Sequence, residues 1–332
     1  MPTVSHRLMT LLLLFSLPVG MSYAADQSAL VKAWLKKMVK AEHSVSYRGT
    51  FVYRYSDEMV AMSIVRAKGD HGMLERLSSL NGSQGEVMRN SNRVRCLIPN
   101  SVTPLISNTL QTEKGKVFAS LNERIDQIDR YYELSLAGVT RVVGRKSQKI
   151  VITPRDEHRY GYQIWIDQQS GLLLKSKHLT VGGEVLEQMV YSSIEIFGEE
   201  LPPSVRQLLI ENMADSAVGK RISNPQVSGD HSETWTVSYI PSGFKLANYH
   251  RRTDVSHAPF EHIVFSDGLA SVSVFIEKQE ANDAFRGVSQ RGAMNAYLAA
   301  LDDYQIVVMG EVPLETLELM GQSVRHTVVS SH

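Results

Sequence analysis

The chain has 332 residues, of which 35 are basic and 35 acidic, so its formal net charge at pH 7 is zero. This balance argues against a protein that binds nucleic acid through a broad phosphate-neutralising surface. Its single cysteine, Cys96, has no partner for an internal disulfide.

The N-terminus is typical of an exported protein. The basic residues His6 and Arg7 precede the apolar run Leu8–Leu17, and small residues follow in Ser22-Tyr23-Ala24. The apolar run is shorter than the roughly 20 residues that cross a membrane, so the pattern predicts a cleaved signal peptide over residues 1–24. Because no cysteine follows the run, we expect no lipid anchor.

An amphipathic helix is predicted over residues 28–42, where apolar side chains recur on one stripe and lysines lie largely opposite. Residues 45–55 then alternate aromatic and polar side chains, which is typical of a half-buried strand. Further alternating segments and turns continue to residue 196, around a polar, partly helical segment at 101–136. We predict an antiparallel meander of about eight strands with one helix in front of it.

The segment "RYGYQIWIDQQSGLLLKS", residues 159–176, predicts a hairpin unusually rich in apolar and aromatic side chains. Alternation puts Tyr162 on one face and Trp165 on the other. A long meander presents more apolar surface than one helix covers. Either the sheet closes on its own core or it leaves a groove for an apolar guest, and the residues alone leave both readings open.

Prolines and glycines interrupt this rhythm after residue 200, so we predict a large domain over 25–200, a linker over 201–232 and a small domain over 233–332. In the small domain, the turn Asp267-Gly268 predicts a hairpin, and Pro313 is expected to open a closing helix. The predicted fold class is α+β.

No catalytic motif is present: the sequence lacks G-x-S-x-G, H-E-x-x-H, C-x-x-C and a phosphate-cradling glycine loop. The acidic and imidazole side chains of Asp156, Glu157 and His158 are adjacent, so on an extended chain they point to opposite faces and do not converge on one ion. We therefore expect a protein that is not an enzyme, with no catalytic residue, no metal and no cofactor.

Several long segments resemble the RseB/MucB family, periplasmic regulators of the envelope-stress sigma factor sigma-E. The hairpin segment, with "RVVGRKSQKIVITPRDEH" before it and "GGEVLEQMVY" after it, is similar to the N-terminal domain of that family. "ERLSSLNG", "EVMRN" and "VRCLIPN" are similar to an earlier part of the same domain. "HIVFSDGLASVSVFIE", "GAMNAYL" and "VVMGEVPLETL" are similar to the C-terminal domain, and all occur in collinear order from about residue 28 to 325.

The resemblance implies a large N-terminal domain like the lipoprotein carriers LolA and LolB, with a curved antiparallel sheet wrapped around helices. It also implies a small C-terminal domain. Family members bind the periplasmic segment of a membrane anti-sigma factor of the RseA/MucA kind and shield it from regulated proteolysis, which restrains sigma-E and makes them negative regulators of transcription. Release follows binding of mislocalised lipid, lipoprotein or lipopolysaccharide.

From these expectations we predict two sets of site residues. A lipid groove is predicted to involve Trp34, Phe51, Tyr53, Tyr162 and Trp165. An anti-sigma contact strip in the small domain is predicted to include His262 and Ser273. The alternative function is a periplasmic lipid or lipoprotein carrier without an anti-sigma partner, and exposed apolar hairpins are also compatible with a homodimer.

Overall fold

The structure, a computed structural model, describes residues 20–69, 72–82, 85–89, 94–97, 121–122, 124–198, 200–214, 235–252, 260–279 and 285–326. Residues 1–19 of the predicted signal peptide, most of the predicted polar middle segment and residues 215–232 of the predicted linker lie outside this set.

The large unit is a ten-stranded antiparallel sheet in the order β5-β4-β3-β2-β1-β10-β9-β8-β7-β6. Strands that are consecutive in sequence pair with each other, except β5 and β6, which are the two edges of the sheet. β1 pairs with β10 and so joins the two ends of the meander. The strands are β1 (Tyr47–Tyr55), β2 (Glu58–Gly69), β3 (Gly72–Ser79), β4 (Glu86–Arg89), β5 (Val94–Leu97), β6 (Tyr132–Val142), β7 (Arg145–Pro154), β8 (Gly161–Asp167), β9 (Leu173–Leu179) and β10 (Val185–Ile196).

Helix α1 (Gly20–Ser44) packs on one face of this sheet, which we call the inner face. Its apolar stripe, Val31, Leu35 and Met38, is at most 2% exposed and contacts isoleucines of β7 and β8, including Ile150 and Ile164. The predicted amphipathic helix is confirmed, although it begins at Gly20, within the predicted signal peptide. A short 3-10 helix (Ile125–Arg130) lies next to α1 and leads into β6.

The predicted linker begins with a second helix, α2 (Pro203–Ala214). Val205 and Leu209 pack against Ala67 of β2 in a small apolar cluster, so these residues belong to the packed structure of the large unit. Pro203 occupies the start of the helix, where the missing N–H of proline costs no hydrogen bond. The prediction treated the same proline as a break in regular structure. The domain boundaries remain predictions. In the described part of the chain, no helix is long and apolar enough to cross a membrane.

The small unit confirms the predicted antiparallel sheet with one helix. Six strands run in the order β12-β13-β14-β17-β16-β15, a two-stranded ribbon pairs β11 with β18, and helix α3 packs against β16 and β17. Its elements are β11 (Trp235–Val237), β12 (Lys245–Arg252), β13 (Phe260–Ser266), β14 (Ser271–Lys278), β15 (Gly287–Arg291), β16 (Met294–Leu301), β17 (Tyr304–Gly310), α3 (Leu314–Gln322) and β18 (Val324–His326).

Candidate binding surfaces

The inner face of the large sheet carries a row of half-buried apolar side chains beside α1. Phe51 and Tyr53 alternate on β1, and their cross-strand partners are Met62 of β2 and Met189 of β10. All four side chains are half-buried, in contrast to the fully covered isoleucines under α1. We call these four residues the inner-face row.

The structure does not bring the five predicted groove residues together. Phe51 and Tyr53 share the inner face, and Trp34 is half-buried on α1, packed against the core beneath the helix. Tyr162 is also on the inner face but is 1% exposed, so it belongs to the core. Trp165 lies on the opposite face, because it alternates with Ile164 and Ile166, whose side chains enter the core.

The two units meet at a buried ion pair. Arg159, which precedes β8, and Asp267, at the turn between β13 and β14, have side chains that are 0% exposed, and Nη1 of Arg159 lies 2.7 Å from Oδ2 of Asp267. The same carboxylate oxygen accepts a hydrogen bond from the Tyr132 hydroxyl at 2.7 Å. The guanidinium also donates to Asp156 at 2.9 Å and to the Ser242 carbonyl at 2.5 Å. Every charge in this buried group therefore has a partner, as burial of an ion pair requires.

The turn that carries Asp267 inserts into the large unit. Leu269 joins the core beneath α1, and Oδ1 of Asp267 accepts hydrogen bonds from the N–H groups of Leu269 and Ala270 at 2.9 and 2.8 Å. Gly268 adopts φ +107°, and a Cβ there would lie 2.8 Å from Cβ of Arg124. Only glycine fits this position, both because of its backbone conformation and because the large unit approaches so closely.

A second polar cluster lies where the inner face meets the β15–β16 hairpin. Glu187 of β10 is buried, and its carboxylate accepts hydrogen bonds from the Tyr53 hydroxyl and from the N–H of Ala293, the latter at 3.3 Å. Its other oxygen pairs with Nδ1 of His178. One carboxylate thus contacts a member of the inner-face row and the backbone of the small unit.

The charges in this cluster support one another. Burial opposes ionisation of Glu187, but His178 and the hydrogen bond from Tyr53 outweigh it, so the pKa of Glu187 is lowered. Burial likewise disfavours the imidazolium, yet the charge and hydrogen bond of Glu187 raise the pKa of His178. Glu311 of the small unit is close enough to interact with the charges of His178 and Glu187, and its burial raises its pKa. The cluster holds an imidazolium–carboxylate pair on the large sheet, next to the backbone of the small unit.

The predicted anti-sigma residues share one face of the small sheet. His262 pairs with Phe275, and Ser273 pairs with Val264, which puts both on the face opposite the core residue Ile263. The His262 ring stacks on Phe275 at 4.2 Å between centroids, and Phe260 lies 5.9 Å from Phe275. All three rings are half-buried, and we call Phe260, His262 and Phe275 the aromatic trio.

The residues of "RDEHRY" have structural partners. Asp156 pairs with Arg159 and accepts a hydrogen bond from the N–H of His158 at 3.0 Å. The His158 ring faces the small unit, where Nε2 lies 3.1 Å from the Tyr239 hydroxyl. In the described ranges, no group of three or more histidine, cysteine, aspartate or glutamate side chains is placed to hold a metal ion.

The interface roles of Arg159, Asp267, His178 and Glu187 were not predicted from the sequence. A weak signal was available for two of them. Arg159 lies just before an apolar strand and His178 lies within one, and charged side chains so placed need buried partners, which the sequence indicates but does not locate.

The fold and these surfaces define a protein of two antiparallel units joined by a polar interface, with half-buried aromatic surfaces on each unit. Residues 30–213 match the MucB/RseB N-terminal domain, and residues 229–325 match the MucB/RseB C-terminal domain. The chain belongs to the MucB/RseB family, as the resemblance predicted.

Known relatives agree with this assignment over nearly the whole chain. The sigma factor AlgU regulatory protein MucB of Pseudomonas aeruginosa is 32% identical over 95% of this chain and 96% of its own length. The sigma-E factor regulatory protein RseB of Haemophilus influenzae is 25% identical over 92% of this chain and 94% of its own. The crystal structure of MucB in complex with MucA(peri) superposes with a TM-score of 0.67 at 26% identity, covering 90% of this chain and 100% of that one.

Proposed function

We propose that this protein binds the periplasmic segment of a membrane anti-sigma factor and thereby restrains the envelope-stress sigma factor. The observation that carries the proposal is the likeness, over 90% of this chain, to a MucB crystallised with MucA(peri). The bound segment is shielded from regulated proteolysis, so the sigma factor stays sequestered. This is a function of binding and needs no catalytic residue.

The aromatic trio is the contact surface that we propose for the anti-sigma segment. Half-buried aromatic side chains on a rigid sheet offer contact area at low entropic cost, and such residues often dominate binding energy. Ser273 lies on the same face and adds a hydroxyl to it. This assignment keeps the predicted residues His262 and Ser273 and adds Phe260 and Phe275.

The test is the affinity of a labelled anti-sigma periplasmic segment for the mature full-length chain. We expect His262→Ala to weaken binding at least tenfold, which corresponds to about 1.4 kcal/mol. His326→Ala is a matched control, because His326 also stacks on an aromatic ring in the small unit, 4.4 Å from Trp235, but lies on the two-stranded ribbon. Equal affinities of the His262 variant and wild type would refute the contact surface, and no binding by wild type would refute the function.

We further propose that an acyl chain of mislocalised lipid or lipoprotein binds along the inner-face row and releases the partner. Each methylene that it buries contributes about 0.8 kcal/mol, so a single chain binds usefully without polar contacts. Insertion beside Tyr53 displaces the hydroxyl from Glu187, and Glu187 also binds the Ala293 N–H of the small unit. Occupancy of the row therefore favours a different arrangement of the two units.

A carrier without an anti-sigma partner uses the same row, and the two functions differ in what happens to the ligand. A carrier moves acylated cargo from donor to acceptor vesicles, whereas a sensor retains it. We expect binding without transfer.

A further inference from the structure

The outer face of the large sheet, opposite α1, carries a group of cations in its centre. Cross-strand register puts Lys149, Trp165 and Lys175 side by side on β7, β8 and β9. In the next row, Lys177 of β9 is followed by Gln188 of β10 and Arg54 of β1. We call the four cations and the indole the cationic patch, which consists of Arg54, Lys149, Trp165, Lys175 and Lys177.

The indole is the centre of the patch. The amines of Lys149 and Lys175 lie 5.2 and 4.7 Å from the centre of the Trp165 ring. Trp165 is 7% exposed and belongs to an apolar cluster that includes Val142, Leu172 and Leu174. The ring holds the two amines near the surface by cation–π attraction but does not neutralise them.

Two acidic residues elsewhere on this face are paired with arginines. Arg145 holds Asp167 at 2.9 Å, and Arg48 holds Glu195 at 2.6 Å. By contrast, none of the four cations of the patch forms an ion pair with a described residue. Burial, Lys177 and Lys149 together lower the pKa of Lys175, which means that these like charges repel one another. An external anion relieves that repulsion.

The size of the patch indicates the kind of anion. Lys149 and Arg54 are four strands apart, which is about 19 Å at the usual spacing of strands. One phosphate group cannot contact cations so widely spread, whereas a layer of separate anionic groups can. Three valines, Val52, Val151 and Val190, lie among these cations on the same face. A surface that combines apolar and cationic side chains suits the boundary between lipid headgroups and water.

We propose that the cationic patch docks this protein on the surface of an anionic phospholipid bilayer. The chain as a whole has zero net charge, so attraction to the bilayer depends on this local group. The inner-face row lies on the opposite face of the sheet from the cationic patch. The proposal goes beyond the function proposed above and stands without it.

The test is co-sedimentation of the mature full-length chain with vesicles of phosphatidylglycerol and phosphatidylcholine. A lysine near an anionic surface strengthens binding roughly fivefold, so replacing Lys149, Lys175 and Lys177 with glutamine is expected to weaken it roughly a hundredfold. The control is the triple replacement of Lys40, Lys68 and Lys278 with glutamine, which changes net charge equally at exposed positions elsewhere. We expect it to bind as wild type does.

Several outcomes would overturn the proposal. The first is equal binding of wild type and the patch variant to the anionic vesicles. The second is an equal loss of vesicle binding in the patch and control triple variants. The third is wild-type binding to vesicles of pure phosphatidylcholine as strong as its binding to the anionic vesicles. Full displacement by inorganic phosphate at the same anion concentration would indicate a discrete phosphate site instead of a bilayer surface. Loss of affinity for the anti-sigma segment with vesicle binding intact would make the patch a protein contact. If the patch variant unfolds, Lys175→Gln alone is expected to weaken vesicle binding roughly fivefold.

Discussion

Replacing Arg159 with glutamine tests whether the buried ion pair holds the two units together. Removing one partner of a buried ion pair commonly costs about 3–5 kcal/mol, because the remaining charge is left buried and unpaired. Here Asp267 retains hydrogen bonds from the Tyr132 hydroxyl and from the N–H groups of Leu269 and Ala270. These donors partly stabilise the carboxylate, so we expect a loss at the low end, about 3 kcal/mol in the free energy of unfolding.

The assay is urea-induced unfolding followed by fluorescence and circular dichroism, with Arg291→Gln as the control. Arg291 also joins the two units, 3.1 Å from Glu58, but that pair is 32% and 60% exposed, so its loss is expected to cost at most about 1 kcal/mol. In a double-mutant cycle with Asp267→Asn, we expect a coupling energy of about 2 kcal/mol. A loss below about 1 kcal/mol for Arg159→Gln, with no coupling to Asp267, would contradict the central place of this pair.

Two further predictions concern the same interface. Because the pKa of His178 is raised, the stabilising charge of His178 is complete below the ordinary value of 6.5 and is lost as pH rises through the raised value. Because the pKa of Glu187 is lowered, its contribution is present above 4.5 and is lost as pH falls through the lowered value. We therefore expect maximal stability between pH 4.5 and 6.5, and an NMR titration of His178 with a midpoint at or below 6.5 would contradict the pairing. Gly243 has φ +91°, and a Cβ there would lie 2.8 Å from the Tyr131 ring, so Gly243→Ala is expected to lower the free energy of unfolding, measured by thermal unfolding, by at least about 2 kcal/mol. Gly183→Ala is the control, with φ +85° and open space around it, and is expected to lower that free energy by about 1 kcal/mol. Equal losses in the two variants would show that the contact with Tyr131 is unimportant.

Much of the fold follows from local patterns in the sequence. Alternation and turn chemistry predicted the hairpin that carries Tyr162 and Trp165, and also the one around Asp267-Gly268, because the period of side chains and the conformation of a turn are set by neighbouring residues. The resemblance to the family predicted the two-sheet architecture. Alternation also assigned Tyr162 and Trp165 to opposite faces, although it could not say which face α1 covers.

The interface could not be predicted, because it depends on contacts between distant parts of the chain. The pairing of Arg159 with Asp267 joins residues 108 apart, and the hydrogen bond from Ala293 to Glu187 joins residues 106 apart. A turn residue such as Asp267 has the same local signature whether it faces water or the core of another unit. The helix at the start of the predicted linker could not be predicted for a related reason: α2 is stabilised by packing of Val205 on Ala67, which no local pattern reveals.

The central claim is that a ligand on the inner-face row releases the partner through Tyr53 and Glu187. The most direct measurement is the affinity of the anti-sigma segment with and without a saturating acylated peptide. For wild type, we predict at least tenfold weaker binding with the ligand present, and an equal effect of the segment on ligand affinity. Tyr53→Phe removes the hydroxyl that contacts Glu187 and is predicted to diminish this difference, whereas Tyr55→Phe, whose hydroxyl contacts Glu58, leaves it intact. Equal affinities with and without the ligand in wild type would contradict the account.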